Sequence, residues 1–207
     1  MKITDKYDVI VVGGGAAGIS AGIGAAQAGA KTLLVESGPC LGGAATQKNV
    51  LTYCGLYTQS MPSRQAVAGV AEKVLANLKN IGGIKTPVRL TDPDNAVIAL
   101  IDPEATKLAL DNVIQVEGLD LLLHTMLTSA SRSGNNIQTV TLFDDEGPHK
   151  VEGRYFIDAS GEGDLAAFGG ASIRYGNHGK VQEGTLAVAL AELNRALIFQ
   201  PNAGLKL

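Results

Sequence analysis

Three glycines and one carboxylate stand at a spacing that can do chemistry. Gly13, Gly15 and Gly18 fall in G-x-G-x-x-G order, and Glu36 follows about 20 residues on. Each has a separate physical task. Gly13 permits a tight turn, Gly15 has no side chain to hold a pyrophosphate away from the backbone, and Gly18 lets a helix lie close to a strand. Glu36 can accept hydrogen bonds from ribose hydroxyls, and bonds to a charged acceptor contribute about 1.5–3 kcal/mol each. The same carboxylate would repel a 2′-phosphate, which disfavours NADP.

These residues need a strand before them, a helix within them and a strand leading to the acid. The run Val9-Ile10-Val11-Val12 is short, largely β-branched and bounded by glycine, as in a strand buried on both faces. A helix opening at about Ala16 would aim its unpaired N–H groups and positive dipole end at phosphates. A second apolar run, Thr32-Leu33-Leu34-Val35, ends at Glu36. The plain alternative is a glycine- and alanine-rich helix that only mimics the motif. The strand–glycine–helix–strand–acid order over Tyr7 to Glu36 favours dinucleotide binding.

Composition narrows the class. The 207 residues allow one large domain, or one domain and part of another. Hydrophobic content of 45% with a net charge of −3 suits a soluble globular protein and offers no basic field for nucleic acid. Tryptophan is absent and aromatics make up 4%, so a base-stacking platform is not expected. The N-terminal MKITDKYD has no signal-peptide apolar core. Residues 9–30 are apolar, but repeated glycines and a preponderance of alanine argue against a membrane span. Cys40 and Cys54 lack C-x-x-C spacing and are too few for an iron–sulfur cluster. They read as reduced thiols of a cytoplasmic protein, and no metal site is expected.

Further elements follow in order. The doublet Gly42-Gly43 after Leu41 lets backbone pass against the other side of the same ligand, although glycine doublets also mark ordinary loops. Ser63 is the expected N-cap of a helix running to Asn80, with Val67, Val70, Val74, Leu75 and Leu78 on one face. Thr86 to Pro93 reads as a connection and Ala96 to Ile101 as a strand. Asp102-Pro103-Glu104 starts a helix that runs to about Glu117. Leu119 to Met126 reads as one buried strand. Residues 138–143 and 150–157 read as a hairpin across Asp144–Pro148. Asp158-Ala159-Ser160-Gly161-Glu162-Gly163-Asp164 is again a strand end followed by glycines and a short helix. His124, Tyr53 and Cys54 are better explained by structural roles than by catalysis, His149 by an exposed turn, and His178 by a solvated loop.

This set of motifs resembles the FAD-dependent oxidoreductases, two-domain flavoproteins related to fumarate reductase and glutathione reductase. The matching segments are the unit ending at Glu36, Leu41-Gly42-Gly43, the helix after Asp102, Leu121–Thr125 and Ile157–Asp164, within about residues 5–186. The resemblance implies an α/β, Rossmann-like FAD-binding fold with a parallel central sheet, helices on both faces and a small antiparallel β layer, placed at residues 138–157. It implies FAD as cofactor. Gly13, Gly15, Ala16 and Ala17 would meet the pyrophosphate, and Glu36 with Ser37 the adenosine ribose. Gly42, Gly43 and Ala44 would meet the phosphate or ribityl side, with Thr46 near the flavin. Thr125-Met126 would lie against adenine. Ala159, Ser160 and Gly161 would pass beside the cofactor, with Asp164 as a polar contact.

The implied organisation is an FAD-binding domain over residues 1–170, with a helical excursion at about 61–102, and the start of an incomplete substrate domain over 171–207. The implied reaction is hydride or two-electron transfer between a small molecule and FAD, with no catalytic residue identified. Cys40 and Cys54 do not match the close redox pair of the thiol–disulfide members. Family members continue well past the Asp158–Asp164 motif, whereas the residues from Ala187 match nothing in them. A second chain supplying the remainder, or a non-catalytic nucleotide-binding subunit or inactive fragment, is the alternative expectation.

Overall fold

The computed structural model describes residues 6–90 and 96–186. The chain opens with strand β1 (Lys6–Val12), helix α1 (Ala16–Gln27) and strand β2 (Thr32–Val35). One-turn helix α2 (Ala44–Gln47) and strand β3 (Thr52–Cys54) follow. Next come helix α3 (Val70–Asn80), strands β4 (Ile84–Arg89) and β5 (Val97–Ile101), and helix α4 (Pro103–Val113). Strands β6 (Leu119–Leu122), β7 (Met126–Ser133), β8 (Asn136–Asp144) and β9 (Gly147–Asp158) lead to short helix α5 (Asp164–Phe168).

The main sheet has the order β6-β2-β1-β9-β8-β7. β6, β2, β1 and β9 run parallel. β9 serves two partners along its length: residues up to Glu152 pair antiparallel with β8, and residues from Glu152 to Asp158 pair parallel with β1. The hairpin expected at 138–157 therefore forms, but it continues the central sheet. The separate small antiparallel layer is instead β3-β5-β4.

Side-chain alternation divides the core into two. Val9, Val11 and Leu34 face α1, α3 and α4 through Ile19, Ile23, Val74, Leu78 and Leu110. Ile10, Val12, Leu33 and Val35 face the other way, onto Leu127, Val140, Leu142 and Val151 of the meander and Leu165 of α5. With both faces covered, Val9–Val12 of β1 and Leu33–Val35 of β2 are apolar at successive positions.

Several boundaries differ from the sequence-based expectations. The helix expected from Ser63 begins at Val70, after Gly69 at φ +73°. The residues before it form a loop closed on itself: Thr58 N–H donates to the Arg64 carbonyl at 2.8 Å, and Ala66 N–H to that of Leu56 at 2.8 Å. The excursion at 61–102, expected to be helical, holds α3 together with β4 and β5. Pro87 stands within β4, where the register with β5 shifts between Lys85 and Val88; an edge strand tolerates a proline there because no ladder N–H is lost. The expected strand 119–126 is two strands, separated at His124, whose φ is +51°. β7 was not foreseen, because Ser129, Ser131, Arg132 and Ser133 show no apolar alternation. α4 does start at Asp102, whose side chain accepts from Ala105 N–H at 2.8 Å. It ends at Val113, short of Glu117. His149, expected to be exposed, is half-buried with Nε2 2.8 Å from Asp144 Oδ1. That hydrogen bond is the first cause of a lowered Asp144 pKa. Residues 91–95 and the tail from Ala187 lie outside the described residues. No helix among the described residues is long and apolar enough to cross a membrane.

Leu34 is fully buried between β1, α1 and its neighbours. Leu34→Ala should cost about 2–5 kcal/mol of stability, read as a lower urea midpoint with an unchanged slope.

Candidate functional site

The loops after β1, β2 and β9 meet at the carboxyl end of the parallel strands, where open α/β sheets bind ligands. Gly13 N–H donates to the Val35 carbonyl at 2.8 Å, and Ala159 N–H to that of Val12 at 2.8 Å. Gly13 has φ +104°, and a Cβ there would lie 2.2 Å from the Ala159 carbonyl oxygen. A Cβ on Gly18 would lie 1.7 Å from the carbonyl oxygen of Gly13. Those two glycines are demanded by contacts within the protein. Gly15 differs: a Cβ there would meet nothing within 4 Å. The space beside it belongs to a cleft of about 670 Å3.

Gly15 caps α1 with no side-chain hydrogen bond, and no acidic residue stands in the first turn. The exposed Ala16 and Ala17 carry the opening N–H groups of this helix to the cleft wall. A neutral, unblocked N-terminus of this kind favours an anion.

Glu36 is buried and lines the same cleft. Its Oε2 accepts from Gly14 N–H at 2.7 Å, and its Oε1 accepts from Gly38 N–H at 2.6 Å and Ser37 Oγ at 3.3 Å. The carboxylate thus joins the loops after β1 and β2. A carboxylate offers about four acceptor positions, so capacity remains toward the cleft. Gly14, silent in the motif, is also constrained: a Cβ would lie 2.7 Å from Leu41 Cδ2 and 2.9 Å from Glu36 Cβ.

The glycine doublet packs onto this loop. Gly42 (φ +112°) donates its N–H to the Gly14 carbonyl at 2.8 Å, and a Cβ on Gly43 would come within 3.1 Å of Gly15 Cα. Gly43 and Ala44 line the cleft, but Gly42 and Thr46 do not. Thr46 is buried under the turn with Oγ1 donating to the Leu41 carbonyl at 2.7 Å, and a Cβ on Gly42 would strike its side chain. Both residues shape the turn from behind.

Beyond Glu36 the wall is Thr125, Met126 and Leu127. Thr125 N–H donates to the Glu36 carbonyl at 3.0 Å, and His124 N–H to that of Gly38 at 3.1 Å. His124 turns the chain between β6 and β7, in keeping with its structural reading. Ala159, Ser160, Gly161 and Asp164 line the far side, with Glu162 and Phe168. Asp158 organises that loop from below. Its Oδ1 accepts from Ser160 N–H at 3.0 Å and Ser160 Oγ at 2.7 Å, and its Oδ2 from Ala166 N–H at 2.8 Å. Partial burial works to raise the Asp158 pKa, but hydrogen bonds from the Ser160 hydroxyl and the amides of Ala166, Ser160 and Leu165 outweigh it and hold it below the ordinary value.

The sequence-predicted residues Gly13, Gly15, Ala16, Ala17, Glu36, Ser37, Gly43, Ala44, Met126, Ala159, Ser160, Gly161 and Asp164 are thus gathered on one cleft. Sequence reasoning missed Gln47, Lys48, Glu162 and Phe168 as lining residues. Lys48 is exposed and brings a positive charge to the cleft wall. It lies in a polar stretch without periodicity, so nothing in its spacing marked it.

This fold and cleft define a Rossmann-type dinucleotide-binding protein. A family model described as FAD dependent oxidoreductase matches residues 8–203, and the chain belongs to that family. The match runs past the expected limit at residue 186, so the expectation that the residues from Ala187 match nothing in the family is corrected: residues 187–203 fall within it. It is 27% identical over 195 residues to dihydrolipoyl dehydrogenase 1, mitochondrial, of Arabidopsis thaliana, covering 94% of this chain and 35% of that protein. Two solved structures share the fold. One is a geranylgeranyl bacteriochlorophyll reductase-like protein from Thermoplasma acidophilum, with TM-score 0.58, 18% identity, and 80% of this chain and 42% of that chain covered. The other is L-proline dehydrogenase from P. horikoshii, with TM-score 0.55, 15% identity, and coverage of 83% and 58%. The chain spans about a third of the length of its plant relative. The cofactor is FAD. The residues present fit a group with a pyrophosphate and ribose, because the open space at Gly15 adjoins both an uncapped helix terminus and a carboxylate.

Two outcomes follow from this geometry. Gly15→Ala should leave the fold intact while lowering FAD affinity roughly tenfold or more, equivalent to about 1.4 kcal/mol; Gly13→Ala should instead destabilise the protein itself, and urea melts with flavin titration separate the two. Asp158 has a depressed folded pKa, so its contribution is present above the unfolded aspartate value of about 3.9 and is lost as pH falls through the folded value. Asp158→Asn should flatten that acid loss in stability measured between neutral and low pH.

Proposed function

We propose that residues 1–170 form the FAD-binding domain of an oxidoreductase, and that the substrate part begins at about residue 171. The observation that carries this reading is the open approach at Gly15, framed by the α1 terminus and Glu36. The Gly15, Ala16 and Ala17 backbone would hold the pyrophosphate, with Lys48 offsetting its charge. The remaining acceptor positions of Glu36, with Ser37, would orient the adenosine ribose. Thr125-Met126 would border adenine, and Gly43 and Ala44 the ribityl side. Ala159, Ser160, Gly161 and Asp164 would close the other flank. When bound, FAD supplies hydride or two-electron transfer, here with a small molecule; the protein's part is to position it and to exclude water.

Exposed Ile173, Tyr175 and Leu186 support contact between the region after 170 and a further substrate-binding part, in this chain or a second one. Free Cys40 and Cys54 support a cytoplasmic setting.

The chain, titrated with FAD, should take up one equivalent, show flavin absorption and bleach on reduction with dithionite. NADP should compete poorly, because Glu36 opposes a 2′-phosphate. A chain that stays colourless in the titration would overturn the proposal.

A further inference from the structure

A second cavity meets the cofactor cleft at the first turn of α1, where Ala16 lines both. It holds about 190 Å3 between α1, α3 and β3. Its character is opposite to that of the cleft. The cleft carries Glu36, Lys48, Glu162 and Asp164, whereas among the described residues no charged side chain lines the second cavity. Its walls are Ile19, Leu56, Val70, Val74, Leu75 and Leu110, and its polar groups come from Tyr53, Ser20 and Cys54. Tyr53 is half-buried, and its hydroxyl has no hydrogen-bond partner among the described residues.

Three physical points identify the occupant. A phosphate or carboxylate would find no compensating charge there, and burying one without a partner is costly. An apolar cavity of roughly 150 Å3 already accepts a benzene ring, so this one suits a single ring with a substituent. Tyr53 and Ser20 can each satisfy one polar atom in an otherwise apolar surround. We propose that this cavity binds an uncharged, ring-sized organic molecule bearing one hydrogen-bonding group, held by Tyr53 and seated beside the cofactor. Burial raises the Tyr53 pKa, so the hydroxyl remains a neutral donor at physiological pH. The inference rests on the proposed FAD-binding role and gives its unidentified small molecule a chemical class.

Phenol and benzene serve as probes. FAD uptake by the chain is first measured by absorption, and phenol is then titrated into the FAD-loaded chain by amide NMR. Saturable shifts on α1, α3 and β3 are expected, together with a shift of the flavin band. Ala71→Trp, which fills the cavity, should weaken phenol at least about tenfold and leave FAD affinity within about twofold. Tyr53→Phe removes one neutral hydrogen bond and should weaken phenol roughly three- to tenfold while leaving benzene unchanged; it carries the test if Ala71→Trp does not fold. Non-saturable shifts, equal phenol affinity in Tyr53→Phe, or displacement of FAD by phenol would each overturn the proposal. Failure of FAD uptake with intact phenol binding in the FAD-free chain would instead strike the FAD-binding role.

Discussion

The carboxylate of Glu36 holds the site together. It accepts the backbone N–H of Gly14 at 2.7 Å and that of Gly38 at 2.6 Å, so one charge joins the turn after β1 to the turn after β2. Both bonds are charge-assisted and largely shielded from water, where they are stronger than neutral ones. Leaving a buried amide unsatisfied costs about 1–3 kcal/mol. The glycine turn leans on this brace, because the Glu36 carboxylate takes the Gly14 amide directly. Through Gly42 N–H on the Gly14 carbonyl, the same brace reaches the doublet.

α1 separates two chemistries. Its opening N–H groups face a cleft with charged residues of both signs, and the side of its first turn faces an apolar cavity closed by α3. A cofactor with a charged pyrophosphate and an uncharged ring molecule can thus occupy neighbouring sites with different dielectric character. Gly18, pressed against the Gly13 carbonyl, fixes the helix near the strands and so sets the distance between the two.

Much of this was legible in the residues. The apolar runs of β1 and β2 announced a sheet buried on both faces, and Asp102-Pro103-Glu104 announced α4, because these signals are local. Gly13 and Gly18 were assigned their tasks from spacing, and the contacts agree. Less was legible where pairing is distant. β7 is polar and joins the sheet only because β8 offers its backbone. The segment 61–69 lacks a helix because its hydrogen bonds are met by a loop closing on residues 56–58.

The sequence by itself determined the strand–glycine–helix–strand–acid unit, because it rests on residue types at short, fixed separations. The order of that unit, the Gly42-Gly43 doublet and the Asp158–Asp164 segment along the chain carried the resemblance that implies the family and FAD. Only the tertiary structure decided that Glu36 braces two backbone turns, that Thr46 and Gly42 support the cleft from behind, that Lys48 and Phe168 border it, and that β9 serves both the parallel sheet and the meander. Those outcomes depend on which loops meet at the strand ends, and such meetings are set by packing between segments far apart in the chain.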